Sequence, residues 1–202
     1  MSFAKDKNVP LHLNKSQETL AGKRSVISEK EYQNFILRYL ESNNGYMVRS
    51  SQHYDRLHAI DRELLFTFLN ETQPEAMDRL QRIYKSDLEE VIVGLINTEA
   101  TKKGGGLLDV LKHGIEVSGE TLRFMFTKPA TNFNQQLTEK YQKNIFSVME
   151  EVWASDRERV DLVIFLNGLA IMSFELKCNA AGQSVEDAIY QFRTERNPKT
   201  RL

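Results

Sequence analysis

Residues 161–177 read Asp-Leu-Val-Ile-Phe-Leu-Asn-Gly-Leu-Ala-Ile-Met-Ser-Phe-Glu-Leu-Lys, and they give the clearest structural signal in the sequence. Asn167-Gly168 is the strongest short signal for a two-residue hairpin turn, because such a turn needs residues that tolerate a positive φ. Both arms are rich in Val, Ile, Leu and Phe, which favours strands over 160–166 and 169–177. We therefore predict a hairpin that is central in its sheet and buried on at least one face.

Charged side chains stand at the end of this hairpin that is remote from the turn. Side chains alternate along a strand, so Glu175 and Lys177 point to the same face. Counting from the turn places Asp161 opposite Phe174, within about one residue of Glu175, and strand twist or a bulge could bring the two carboxylates together. Charges on apolar strands are unfavourable unless they are paired or bind a metal.

This combination of residues suits phosphodiester hydrolysis. Two carboxylates form an oxygen-rich site for Mg²⁺, which Mn²⁺ can replace, so Asp161 and Glu175 are candidate metal ligands. The carbonyl of Leu176 could add a third ligand. A bound Mg²⁺ can deprotonate a water and stabilise charge on the phosphate, while Lys177 positions the water or offsets that charge. The candidate catalytic residues are therefore Asp161, Glu175 and Lys177.

The sequence before the hairpin predicts an extended arm followed by helices. Residues 1–27 show little periodicity, and Ser28 with Glu31 then matches a capping box that opens a helix. An alternative role for Glu31 is as an accessory metal ligand. The helix carries apolar residues at helical spacing and ends at 43–45. These apolar residues are Tyr32, Phe35, Ile36, Tyr39 and Leu40.

The remaining segments complete an α/β, or more specifically α+β, layout with a mixed sheet flanked by helices. Residues 60–103 predict a helical insert that is broken near Gln73-Pro74. Strands are expected over 115–126, as a hairpin, and over 145–153. A last helix is expected from about 184 to 196. We expect 28–202 to form one domain that is a fragment of a longer protein.

Composition excludes several classes of protein. Of 202 residues, 41% are apolar and 27% are charged, as in ordinary globular proteins. No apolar run is long enough to span a membrane, and no signal peptide is visible. The single cysteine forms no intrachain disulfide, which fits a cytoplasmic location. The net charge of −1 argues against a free-standing high-affinity DNA binder, although DNA affinity can come from partner subunits or neighbouring domains.

The pattern resembles the PD-(D/E)xK nuclease superfamily, whose signature is an Asp on one strand and Glu-x-Lys on the next. Here it reads Asp161 and Glu175-Leu176-Lys177, with Val160 in place of the proline that often precedes the Asp. The resemblance implies a restriction-endonuclease-like fold, with a mixed sheet flanked by helices and an N-terminal helical segment.

Residues from about 28 to 200 resemble, more closely, the N-terminal nuclease domain of the R (restriction, motor) subunit of type I restriction–modification enzymes. The stretches that carry this resemblance are Gly45-Tyr46, Ile60-Asp61, Gly106–Leu111, Tyr141–Asn144, Asp161–Leu169 and Phe174–Lys177. The family also carries a Gln-x-x-x-Tyr motif on the helix after the catalytic strands. Gln191 matches its first position and would assist catalysis, whereas Glu195 stands where the Tyr is expected.

This resemblance implies a set of partners for the domain. They are double-stranded DNA, the modification and specificity subunits, and the motor domains of the same subunit. ATP would be used only by those motor domains, because this chain contains no Gly-x-x-x-x-Gly-Lys-Ser/Thr loop.

Two other readings of the sequence stay open. The chain could be a nuclease-like docking module that has lost its activity, a reading that Glu195 permits. It could also be a PD-(D/E)xK nuclease of another class, acting in repair or transposition. Loss of Glu175-dependent metal binding would favour the first of these. Motor motifs elsewhere in the full-length protein would exclude the second.

Overall fold

The computed structural model describes residues 28–131, 133–177 and 189–190. The expected N-terminal arm lies outside these residues, as does all of the expected last helix except 189–190, which are helical. The described helices are α1 Glu29–Asn44, α2 Arg62–Thr72, α3 Pro74–Tyr84, α4 Leu88–Thr101, α5 Leu107–His113 and α6 Gln135–Gln142. The strands are β1 Met47–Arg49, β2 Tyr54–Asp55, β3 Ile60–Asp61, β4 Ile115–Val117, β5 Glu120–Leu122, β6 Phe146–Trp153, β7 Arg159–Leu166 and β8 Leu169–Phe174.

A six-stranded mixed sheet organises the fold, with the strand order β1-β6-β7-β8-β3-β2. Strand β1 runs parallel to β6, and the other neighbours are antiparallel. Strands β4 and β5 form a separate two-stranded sheet. The architecture is the expected α+β, nuclease-like fold, and the predicted hairpin, β7–β8, lies at the centre of the large sheet.

The turn between β7 and β8 is a structural anchor as well as a connection. Asn167 and Gly168 have φ values of 51° and 80°, as the predicted turn requires. The buried Asn167 side chain accepts a hydrogen bond from Ile145 N at 2.6 Å and donates to Phe124 O at 2.8 Å and to Asn144 Oδ1 at 2.9 Å. The turn is therefore enclosed by protein, and its polar groups are satisfied.

The helical insert is confirmed, with one correction at its start. Helices α2, α3 and α4 occupy most of 60–103, and the break falls where expected because Pro74 occupies the first turn of α3. Ile60 and Asp61, however, form β3, where Ile60 pairs with Leu169 of β8. The insert packs against the turn end of the hairpin, since one core cluster joins α2–α4 to Leu166 and Leu169.

The capping box on α1 is confirmed, but the face of α1 that packs on the sheet differs from expectation. Gln33 and Leu37 are the buried residues of the helix. Of the expected apolar stripe, only Ile36 and Leu40 pack against the core, in a cluster with Val148, Leu162 and Ile164 of β6 and β7. The aromatic residues of that stripe are exposed, and these are Tyr32, Phe35 and Tyr39.

Two predicted strands end earlier than expected. Strand β8 stops at Phe174 rather than at Lys177, and β5 stops at Leu122 rather than at Phe126. Residues 175–177, which include the charged Glu175 and Lys177, therefore lie beyond the end of β8. Within the described residues, no helix is both long and apolar enough to cross a membrane.

Candidate active site

A bulge in the central hairpin sets the register at the site. Next to the turn, Leu166 pairs with Leu169 and Phe165 pairs with Ala170, as simple counting from the turn requires. Beyond the irregularity at Ile164/Phe165, the register shifts by one residue, and Leu162 pairs with Phe174. The shift leaves Phe174 opposite Leu162 instead of opposite Asp161, so residues 175–177, which follow the end of β8, begin beside Asp161. The bulge is thus one feature that brings these residues to the Asp161 carboxylate.

Asp161 lies at the start of β7 in a partly buried position. Its Oδ2 accepts a hydrogen bond of 2.6 Å from the backbone N–H of Leu176, which brings the Leu176 main chain against the carboxylate. Burial is the largest influence and raises the pKa of Asp161 above its usual range. The Leu176 hydrogen bond opposes this rise, whereas the nearby Glu175 carboxylate adds to it, so the two acidic groups interact electrostatically.

Glu175 and Lys177 form an ion pair that is shielded from solvent. Lys177 Nζ lies 3.2 Å from Glu175 Oε1, and the two side chains are only 16% and 8% exposed. The contact confirms that these residues project to the same side, although they lie beyond the end of β8. Because the pair is shielded, removal of either partner would leave the other charge poorly solvated.

The donor set at this end of the hairpin fits a hard divalent cation. Among residues 28–131 and 133–177, no group of three or more His, Cys, Asp or Glu side chains is placed to hold a metal ion. Mg²⁺ does not need such a group, because it commonly uses one or two carboxylates and keeps several waters. Two carboxylates are available here, those of Asp161 and Glu175. The main-chain carbonyl of Leu176 is a candidate for a further oxygen donor.

Helix α1 contributes a residue that the sequence prediction missed. Glu31 is occupied by the helix cap, since its Oε2 accepts from Ser28 N at 2.8 Å and from Ser28 Oγ at 2.9 Å. Glu29 instead contributes to the raised pKa of Asp161. The sequence spacing indicates that Glu29 lies on the buried face of α1. This face is shared by residues at intervals of four, namely Glu29, Gln33 and Leu37.

The structure therefore brings together Asp161, Glu175, Leu176 and Lys177 of the predicted site. Gln191, the remaining candidate, lies outside the described residues, so its role stays a prediction. Two basic residues on the neighbouring elements α1 and β7 are engaged in ion pairs. Lys30 contacts Glu150 at 2.8 Å and Glu151 at 3.2 Å, and Arg159 contacts Glu151 at 3.2 Å.

Comparison with known proteins supports the resemblance. The family model described as "Type I restriction enzyme R protein N terminus" matches residues 26–202, which is most of the chain. The comparison with curated proteins and the comparison with solved structures gave no significant match. The chain therefore belongs to the family of type I restriction enzyme R protein N-terminal domains, and its role is in restriction.

Proposed function

We propose that this chain is a Mg²⁺-dependent endonuclease domain that hydrolyses phosphodiester bonds in double-stranded DNA. The observation that carries the proposal is the contact between Asp161 and the segment 175–177, where Asp161 Oδ2 accepts from the Leu176 N–H and Glu175 and Lys177 form a shielded ion pair. Family membership supports a role in type I restriction. In this proposal the domain acts in the cytoplasm as part of an R subunit, together with motor domains and with modification and specificity subunits.

Each residue of the site has a distinct proposed task. Asp161 and Glu175 would hold Mg²⁺, with the carbonyl of Leu176 as a further ligand. When bound, the cation supplies Lewis-acid chemistry, lowering the pKa of a water and offsetting charge on the phosphate. Lys177 carries three N–H donors on a flexible stem, and it would orient a water or a phosphate oxygen. The low exposure of Glu175 and Lys177 strengthens their electrostatic effects.

The proposed roles of Gln191 and of ATP rest on the family resemblance alone. Gln191 would assist at the phosphate or at the attacking water. ATP would act through motor domains outside this chain, so ATP hydrolysis and DNA cleavage should be separable by mutation. Mn²⁺ should substitute for Mg²⁺, because it accepts the same oxygen ligands.

The test is cleavage of circular plasmid DNA by the assembled complex with ATP and Mg²⁺. We expect Glu175→Ala to reduce cleavage by about 10³-fold or more, as is typical when a group that stabilises transition-state charge is lost. ATP hydrolysis should continue at the wild-type rate. A matched control is Glu116→Ala, which removes an exposed carboxylate from β4 in the separate two-stranded sheet. Equal cleavage by wild type and Glu175→Ala would contradict the proposal.

Metal binding separates the nuclease from a docking module. Helix α1 presents the exposed aromatic residues Tyr32, Phe35 and Tyr39, a surface that a docking module would also offer. Calorimetric titration with Mn²⁺ should detect a site in the wild-type chain that Glu175→Ala abolishes. A chain without any such site would favour the docking module.

A further inference from the structure

Gln33 is a buried polar side chain that joins α1 to the candidate metal site. It is 5% exposed, in a helix whose outward face is polar and aromatic. Its Nε2 donates one hydrogen bond to the main-chain carbonyl of Asp161, at 3.2 Å, and one to Glu150 Oε2, at 3.1 Å. Both N–H groups of the carboxamide are therefore used to reach across from the helix to neighbouring strands.

The carbonyl that Gln33 contacts lies where the regular strand pairing is interrupted. Between β6 and β7, the pairs run from Glu150 with Leu162 directly to Val152 with Val160, and the intervening Asp161 and Glu151 are not paired. Glu151 has a positive φ of 52°, which marks a local irregularity of β6. On the other side, the pairing with β8 ends at Leu162. The bond from Gln33 is therefore an added contact to the main chain of Asp161, at a point where the pairing with β8 has ended and the pairing with β6 skips one pair.

A second contact fixes the Gln33 side chain itself. Glu150 Oε2, which accepts from Gln33, also lies 2.8 Å from Lys30 Nζ on the same helix. The lysine orients the carboxylate, and the carboxylate orients the carboxamide. This chain of contacts links the first turn of α1 to the backbone of Asp161.

We propose that Gln33 is a positioning residue, which holds the main chain of Asp161 so that its carboxylate faces the Leu176 backbone and Glu175. The inference rests on the proposed function, because the geometry matters only if Asp161 and Glu175 share a cation. Gln33 does not contact the cation. It acts by limiting the orientations that the Asp161 carboxylate can adopt, as outer-shell partners of metal ligands do.

The first test is metal affinity of the 202-residue chain, measured by Mn²⁺ calorimetry. Gln33→Met keeps the length of the side chain and removes both N–H donors, so we expect affinity to fall about tenfold. Gln73→Met is a matched control, because Gln73 also bonds to a main chain, donating to Arg123 O and accepting from Arg123 N at 2.8 Å each. It should lower stability without changing affinity for Mn²⁺.

A second readout needs no metal. The Leu176 N–H is bonded to Asp161 Oδ2, so its exchange with solvent reports how well the carboxylate is held. By amide hydrogen exchange in the metal-free chain, Gln33→Met should increase exchange at Leu176 several-fold. Amides of the β4–β5 sheet should exchange as in the wild type.

The possible outcomes separate a failure of this inference from a failure of the proposed function. Wild-type binding that Glu175→Ala abolishes but Gln33→Met leaves unchanged would overturn the positioning role alone. No Glu175-dependent binding in the wild type would overturn both. If Gln33→Met fails to fold, Glu150→Ala replaces it, since Glu150 is a partly exposed residue and this change removes the acceptor that orients the Gln33 carboxamide. Unchanged affinity and unchanged Leu176 exchange in Glu150→Ala would then reject the inference.

Discussion

The two ends of the β7–β8 hairpin handle buried polarity in opposite ways. At the turn, Asn167 is neutral and fully buried, and its side chain bonds to three partners. At the other end, Asp161 has a raised pKa, and Glu175 and Lys177 form an ion pair with little exposure to solvent. Neutral, satisfied groups stabilise the fold, whereas confined charges oppose it unless a ligand compensates them. One hairpin thus carries a stabilising turn at one end and the candidate site at the other.

The largest expected effect is at the turn, with Gly168→Ala. An added Cβ would overlap the carbonyl oxygen of Asp61 and the backbone of Leu65, and the position already has a positive φ. We expect a loss of about 4 kcal/mol or more in the free energy of unfolding, or failure to fold. The control is Gly45→Ala, where φ is also positive but no atom lies within 4 Å, and denaturant unfolding should show a loss of about 1 kcal/mol. Equal losses would mean that the turn is not enclosed.

Asn167→Ala should have the next largest effect. It removes the acceptor of Ile145 N and the donor to Phe124 O, and it leaves these backbone groups without that partner in the interior. Urea denaturation should show a loss of about 2–4 kcal/mol. Asn43→Ala removes a single exposed side-chain bond to Tyr39 O, and its effect should stay within about 0.5 kcal/mol. A small effect at Asn167 would remove the contrast between the two ends.

Asp161→Asn should stabilise the metal-free protein, in contrast to the two turn variants, and its effect should be smaller than theirs. Because the folded pKa of Asp161 is raised, its contribution to stability is present at low pH and is lost as pH rises through that pKa. Asparagine keeps an acceptor for Leu176 N–H without the charge. We expect the melting temperature of the metal-free variant to exceed that of the wild type by one or two degrees, roughly, at pH 7.

The pH dependence of this difference is the check on its cause. In thermal melts from about pH 4 to 8, the difference should grow as pH rises through the raised pKa and then level off. Added Mg²⁺ should stabilise the wild type and not the variant. A melting-temperature difference that does not depend on pH, or a variant less stable than the wild type at pH 7, would contradict the prediction. Either result would mean that the buried charge of Asp161 does not destabilise the fold.

The smallest expected effect is that of Phe35→Ser, which tests which face of α1 packs on the sheet. Phe35 is 60% exposed, so Phe35→Ser should change the free energy of unfolding by less than about 0.5 kcal/mol. Leu37 is buried against the sheet, and Leu37→Ala should cost about 2–5 kcal/mol. Chemical denaturation of the two variants would decide the matter. A large loss in the free energy of unfolding of Phe35→Ser would mean that the face expected from the sequence packs on the sheet.

Local patterns explain what could be read from the sequence. The Asn167-Gly168 turn and the Ser28–Glu31 capping box depend on residues close in the chain, and both are confirmed. The β-bulge could only be named as one possibility, because β8 carries apolar residues on both faces and either register buries apolar side chains. Only the tertiary structure shows that the bulge forms and that the Leu176 N–H reaches the Asp161 carboxylate.

Long-range contacts explain what the sequence did not reveal. Strand β1 has three residues and pairs with β6 about a hundred residues later, so no local pattern announces it. Gln33 is polar and would be placed on the solvent side of α1 by hydrophobic periodicity. Its burial depends on hydrogen bonds to Asp161 and Glu150, on strands far along the chain.

The strand lengths of the large sheet bear on how the protein avoids self-association. Its inner strands β6, β7 and β8 have eight, eight and six residues, whereas the outermost described strands, β1 and β2, have three and two. An exposed sheet edge is a template on which a second chain can add a strand, and very short edge strands offer few hydrogen bonds to such a chain. The described sheet therefore combines a long apolar centre with borders that discourage aggregation.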